Sequence, residues 1–264
     1  MSEPHLSVER EGHVAIVTMN RPEARNAWSL EMMARMWDAW QAIDADAEVR
    51  CAILTGAGGT FCAGADLKLM HSDQSDDPWH ARFREDEDLH WKALLRHHRL
   101  QKPLIAAVEG FALGGGTEIL QATDLRVAGR SASFGVTEVR YGLFPLGGST
   151  VRLQRQIPRT LALELLLTGR RVTAEEALRI GLIGHVTEDG GAMAKAMELA
   201  QLIAANGPVA VQAIKRSAYD TWELPESEGL ARELEVGQPV FATRDAREGP
   251  RAFAERRTPQ FEGR

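Results

Sequence analysis

Apolar positions along this chain follow two spacings, and the mixture of the two gives way to helical spacing alone in its second half. Val14, Ile16 and Val17, behind a Glu11-Gly12 turn, predict a strand over 13–19. The short apolar run 50–55 predicts a second strand. Residues 104–108, opened by Pro103, predict a third, and their unbroken apolar character predicts burial on both faces. Residues 124–128 predict a fourth. Between these, Met32, Met33, Met36, Trp37 and Trp40 recur at helical spacing behind Ser29, a candidate N-cap. The plain reading of that stripe is core packing. A further helix is predicted over 84–100, and Gly114-Gly115-Gly116 leads into one that carries Glu118. Residues 71–78 are polar, with three aspartates, and read as a surface loop. After Pro145 the pattern predicts helices to the end, near 149–156, 159–167, 174–180, 192–205, 208–220, 226–236 and 244–256. Strands mixed with helices come first and helices alone come last. This predicts an α/β core over 1–200 and a helical C-terminal module over 201–264.

Composition narrows the class. The 264 residues are 44% hydrophobic and 26% charged, enough for a large buried core without staples. The two cysteines, Cys51 and Cys62, have apolar neighbours and no CxxC spacing, so neither a disulfide framework nor a structural zinc site is expected, and a reducing cytosol suits the chain. Thirty-one basic against 37 acidic residues give a net charge of −6, which argues against nucleic acid as a partner. No apolar run approaches the roughly 20 residues that span a bilayer. The opening MSEPHLSVER has no signal-like apolar core. The expectation is a cytoplasmic protein with no membrane and no nucleic-acid partner.

Two glycine-rich turns could cradle a ligand, and neither carries a GxGxxG or GxxxxGK[ST] fingerprint. Gly114–Gly116 joins a buried strand to a helix, where unpaired N–H groups and the helix dipole favour an anion or oxyanion. Alone it reads equally as a tight turn that needs small residues. Ala63-Gly64-Ala65-Asp66 is a second source of N–H groups, although Asp66 by itself reads as a helix cap.

Five stretches together resemble the enoyl-CoA hydratase/isomerase, or crotonase, superfamily: NRPEARNAWS (20–29), FCAGADLKLM (61–70), AAVEGFALGGGTEIL (106–120), FGVTEVRYGLFP (134–145) and LLLTGRRVTAEEALRIGLIGHV (165–186). The C-terminal EGPRAFAERRTPQFEGR (248–264) is similar as well, and the resemblance runs from about residue 8 to the end. It implies a crotonase-like spiral of ββα repeats, with a C-terminal helical module that makes trimers, often paired as hexamers. It implies an acyl-CoA substrate, with no separate cofactor and no metal. It places the thioester oxygen between the N–H groups of Ala65 and Gly115.

A 2-enoyl thioester attacked at C3 gathers negative charge on its oxygen, and two fixed N–H donors stabilise that charge where it develops. The chemistry also needs an acid and a base. The resemblance assigns these to two carboxylates. Glu118 holds and deprotonates water, and Glu138 exchanges the proton at C2. Without the family, Glu118 reads as a helix-start carboxylate and Glu138 as a surface residue beside Arg140. Retention of both favours reversible hydration of a 2-enoyl-CoA. The alternatives are Δ3,Δ2-isomerisation and dehydration of an unusual hydroxyacyl-CoA, with a non-catalytic CoA- or RNA-binding relative behind them.

For CoA itself the resemblance offers Ala63, Asp66, Leu67, Lys68 and Gly114 along the channel. Arg25 is offered as a pyrophosphate partner, and Phe253 and Arg256 as groups that reach a neighbouring subunit's CoA. Lys68 reads equally as a surface lysine. Cys62 reads as structural, and His90, His97 and His98 as solvated helix positions. The chain departs from the hydratase pattern PGAGGTQRL, reading PLGGSTVRL over 145–153, so Leu146 and Ser149 replace glycines. Thr117 replaces a frequent cysteine. Trp79, Phe83 and Trp91 lie in or near the variable segment that shapes the pocket.

Overall fold

β1 (Leu6–Glu11) and β2 (Val14–Met19) form an antiparallel hairpin, and every later strand of the main sheet joins in parallel. The remaining elements, in chain order, are α1 (Leu30–Ala45), β3 (Cys51–Gly56), α2 (His80–Glu85), α3 (Leu89–Ala93), β4 (Leu104–Val108), β5 (Phe111–Leu113), α4 (Gly115–Leu120), β6 (Leu125–Gly129) and β7 (Ser133–Gly135). There follow α5 (Ser149–Gln156), α6 (Arg159–Thr168), β8 (Val172–Thr173), α7 (Ala174–Arg179), β9 (His185–Thr187), α8 (Ala192–Ala204), α9 (Pro208–Asp220), α10 (Glu226–Gly237) and α11 (Asp245–Ala254). The structure, a computed structural model, describes residues 3–72 and 76–264. Of the polar stretch 71–78, residues 73–75 lie outside the described residues, as do the first two residues of the chain.

The main sheet has the order β1-β2-β3-β4-β6-β9, and a smaller one the order β5-β7-β8. Successive turns therefore give one strand to the large sheet and a shorter one to the small sheet before a helix follows, as in β4-β5-α4 and β6-β7-α5. An isolated bridge between Cys62 and Ala112 extends the small sheet to the segment after β3. This is the ββα spiral that the resemblance implied.

Strand alternation explains why the sheet interior is apolar throughout. Ala52, Leu54, Leu104 and Ala106 face one core cluster with Met32, Met36 and Trp40 of α1. Cys51, Ile53, Ile105 and Ala107 face a second cluster with Ala192, Ala196, Ala200 and Ala204, an i,i+4 alanine ridge that lets α8 lie close to the sheet. α8 runs across residue 200 and packs on the sheet over its whole length. Ser29 caps α1, its hydroxyl accepting from Met32 N at 3.1 Å.

Four expectations need correction. β1 precedes the first predicted strand. Its sequence LSVERE is polar on the outer face, as suits an exposed edge. β5 and β7, three residues each, carry no readable period. The helix expected over 84–100 is broken: Asp86 is extended (φ −136°, ψ 90°), and Leu95 has φ +52°. The carbonyls of Leu95 and Arg96 instead accept from Arg152 Nη2 at 2.5 and 2.7 Å. The region after Pro145 is not helical throughout, because β8 pairs with β7 and β9 with β6.

The C-terminal helices leave Ile214, Leu230, Leu234, Phe241 and Phe253 exposed. No helix among the described residues is long and apolar enough to cross a membrane.

Candidate active site

The site begins where the two glycine-rich turns meet. Gly64 has φ +91°, open to glycine, and an added Cβ would stand 2.6 Å from Leu113 O and 2.9 Å from Gly115 N. The 63–66 loop thus lies directly against the start of α4. Trp28 N donates to Gly64 O at 2.9 Å, and residue 28 bridges to Ala65 as a one-residue parallel pair. The Trp28 ring then fills the space beside Gly115, where a Cβ would lie 2.1 Å from it. Among the described residues neither Ala65 N nor Gly115 N has an acceptor. α4 has only six residues, so the close pairing of the two loops, more than the helix dipole, defines this donor pair.

Thr117 staples the turn from below. Its hydroxyl donates to Ala112 O at 2.5 Å and accepts from Gly135 N at 3.1 Å, which joins α4 to β5 and β7. One residue later, Glu118 is 5% exposed. Its carboxylate accepts from Gly147 N at 3.0 Å and Ser149 N at 3.1 Å. Burial pushes its pKa up, and these two N–H groups, the Ser149 hydroxyl and Arg152 pull in the other direction.

Glu138 opens a 3₁₀ turn over Glu138–Tyr141, directly after β7. Its Oε1 lies over Gly114, 3.2 Å from where a Cβ would be, and among the described residues its buried Oε2 has no partner. Burial, then repulsion from Glu118, raises its pKa to about 7. The two carboxylates and the two free N–H groups therefore border one region around Gly114–Gly115.

The CoA candidates divide. Ala63 N donates to Arg25 O at 3.0 Å, tying those loops together, and Arg25 is exposed with φ +52°. Leu67 and Lys68 are exposed beside them. Asp66 is held as a cap: its carboxylate accepts from Lys68 N at 3.0 Å and Leu69 N at 3.3 Å, and pairs with Arg21 at 2.8 Å. Burial opposes ionisation of Asp66, but Arg21 and the two N–H groups together hold it below the usual carboxylate range. Phe253 and Arg256 stand exposed at the end of α11. Within the chain and among the described residues no hydrogen bond or ion pair joins them to the 63–68 loop.

Cys62 is fully buried and its thiol is pushed up to about 12 by burial. His98 is half-buried with its ring edge-on to Trp37, and His90 is half-buried against Trp91, so these two are not simply solvated. His97, exposed, pairs with Asp88, and both His97 and His98 lie beyond the end of α3. Among the described residues no three His, Cys, Asp or Glu side chains are grouped to hold a metal. Arg96 lies over Trp91 and donates to Leu146 O at 2.7 Å, linking two of the departures noted in the sequence. Nothing in the sequence pattern marks Trp28 as the packing wall of Gly115, or Gly147 and Ser149 as donors to Glu118.

Residues 9–264 match the model of the enoyl-CoA hydratase/isomerase family, and the chain belongs to that family. It is 57% identical to enoyl-CoA hydratase EchA19 of Mycobacterium tuberculosis, over 100% of this chain and 98% of that protein. It is 39% identical to (E)-benzylidenesuccinyl-CoA hydratase of Thauera aromatica, over 98% of this chain and 99% of that protein. A crystal structure of enoyl-CoA hydratase from Mycobacterium tuberculosis superposes with a TM-score of 0.90 at 42% identity, covering 99% of this chain and 100% of that one.

Proposed function

We propose that this protein is an enoyl-CoA hydratase, adding water reversibly across the C2–C3 double bond of a 2-enoyl-CoA. The observation that carries it is the pairing of buried Glu118 with half-buried Glu138, beside two N–H groups that have no acceptor among the described residues. The thioester oxygen accepts from Ala65 N and Gly115 N. Glu118 takes a proton from water as the oxygen bonds to C3, and the π electrons move onto the thioester oxygen. Glu138, protonated near neutrality, delivers a proton to C2 as the enolate collapses. One C–O and one C–H bond form, and solvent exchange returns the proton from Glu118 to Glu138.

Arg25, Ala63, Asp66, Leu67, Lys68 and Gly114 are assigned to the CoA channel. Asp66 acts through its ties to Arg21 and the loop backbone. Phe253 and Arg256 serve a neighbouring subunit in a trimer or hexamer, supported by the apolar side chains that the C-terminal helices leave exposed. The reaction needs no cofactor or metal, and the two free cysteines suit a cytoplasmic protein.

Crotonyl-CoA mixed with the protein tests this through the conjugated-thioester absorbance. Rapid loss in the wild type, abolished in Glu138→Gln, is the expected result. Loss in neither calls for longer and branched 2-enoyl thioesters. Conjugation of a 3-enoyl-CoA without hydration would favour isomerisation instead.

A further inference from the structure

The two N–H groups assigned to the thioester oxygen belong to loops far apart in the chain, and one residue touches both loops. Trp28, two residues before α1, is 8% exposed. Its backbone N–H donates to Gly64 O at 2.9 Å. That carbonyl and the Ala65 N–H are the two ends of one planar trans peptide, so they point in opposite directions. With Gly64 O turned towards Trp28, the Ala65 N–H is turned away from it. The Trp28 N–H therefore fixes the direction in which the first donor points.

The side chain of the same residue meets the second donor. A Cβ on Gly115 would overlap the indole carbons Cη2 and Cζ3, with Cζ2 at 3.1 Å. Gly115 is not among the glycines with positive φ, so its backbone would accept a side chain, and the indole bars one. The direction of the Gly115 N–H is set within α4. Gly114 O, on the same peptide, accepts from Thr117 N at 2.8 Å and Glu118 N at 3.1 Å. What α4 leaves open is how close its first turn comes to the 63–66 loop. The indole fills that gap, and its backbone is tied to that loop.

We propose that Trp28 is the spacer of the donor pair: its backbone aims the Ala65 N–H, and its indole sets the distance of the Gly115 N–H. Trp28 is a positioning residue for hydration, and this rests on the hydratase reading above. A smaller side chain at position 28 lets the turn drift while both N–H groups survive. The charge that develops on the thioester oxygen is then held less well, so rate suffers more than affinity.

The test is Trp28→Leu, which keeps the backbone N–H and vacates the space beside Gly115. Hydration of crotonyl-CoA gives kcat and KM. Infrared difference spectra of bound, carbonyl-labelled butyryl-CoA, which has no double bond to hydrate, give the thioester carbonyl stretch. In Trp28→Leu kcat is expected to fall roughly tenfold with KM within about twofold. The carbonyl stretch, lowered in the wild type by the two donors, should move back towards its value in solution. Gly115→Ala supplies the second arm. It should cost about 10²-fold in the wild type and less than about tenfold in Trp28→Leu, where the methyl has room. A kcat and a stretch that stay in place while Tm falls would overturn the proposal and leave Trp28 a packing residue. So would an equal cost of Gly115→Ala in both backgrounds. Should Trp28→Leu fail to fold, Trp28→Phe decides by the same readouts. If the wild type hydrates no 2-enoyl-CoA, the hydratase reading fails, and the carbonyl stretch of butyryl-CoA still judges the spacer.

Discussion

Glu118 and Glu138 are the same residue in two surroundings. Glu118, on α4, sits in a ring of donors from the 147–149 loop. Glu138, on a 3₁₀ turn, has a buried oxygen that no donor among the described residues reaches. Burial raises both, and Glu138 is carried to about 7: among the described residues no side chain or neighbouring N–H donates to it, and Glu118 repels it. Burial by itself does not distinguish an acid from a base; the donors do. In the proposed reaction the carboxylate with N–H partners is the one that takes a proton from water. The one whose pKa rises to about 7 is, in that reading, the one that gives a proton up.

Removing each group in turn is the strongest way to break this division. Glu118→Gln and Glu138→Gln should each lower hydration by about 10³-fold, within the range for a positioned acid or base. Exchange of solvent deuterium into C2 of a saturated acyl-CoA separates them: it is expected to vanish in Glu138→Gln and to persist in Glu118→Gln. Equal loss of this exchange in both variants would break the assignment of roles.

Next in size comes the N–H pair proposed to hold the thioester oxygen. Gly115→Ala drives a methyl into the Trp28 ring, and one of the two must move. A displaced amide should cost about 10²-fold in kcat, the scale of one lost oxyanion donor. The acidic limb of the pH profile should stay in place, since neither carboxylate loses a partner. A shifted limb would mean that the turn, and not the donors on Glu118, sets the carboxylates apart.

These parts differ in how visible they were beforehand. The glycine triplet and the two glutamates were legible through the resemblance, because a motif names side chains at fixed spacing. The donors to Glu118 come from the backbone at Gly147 and Ser149, and a backbone N–H has no residue signature. Trp28 drew no separate reading within NRPEARNAWS, since its partner Gly115 is distant in the chain. The break in the helix over 84–100 depends on Arg152 capturing the carbonyls of Leu95 and Arg96, a contact that local propensity cannot see. β1 hid behind its charged outer face, while the longer apolar strands and the C-terminal helices were readable from period alone.

A smaller effect follows from the raised pKa of Glu138. A carboxyl whose folded pKa lies above its unfolded one stabilises the protein fully below the unfolded value. That contribution is lost as pH rises through about 7. Glu138→Gln, neutral at every pH, should therefore raise Tm by about 3 °C at pH 8 and leave it unchanged near pH 4. Glu118→Gln loses its hydrogen bonds along with its charge and should gain less at pH 8, or lose stability. Equal gains would erase the difference between the two surroundings.

The smallest effect is expected at Cys62, the third buried acid in this region. Its Sγ accepts from Gly64 N at 3.3 Å and donates to Asn26 O at 3.1 Å, so it braces the loop that presents Ala65 N. Full burial holds the thiol protonated up to about 12, and a protonated thiol is a poor nucleophile. Iodoacetamide at pH 8 should leave hydration unchanged over hours, and Cys62→Ser, which keeps both bonds, should stay within about threefold of wild type. Cys62→Ala leaves the Gly64 N–H without its acceptor and should cost a few-fold more, through the position of Ala65 N and not through lost covalent chemistry. Rapid inactivation by the alkylating agent would show that this thiol ionises despite its burial. Donors around a buried acid would then count for less at this site than the contrast between Glu118 and Glu138 requires.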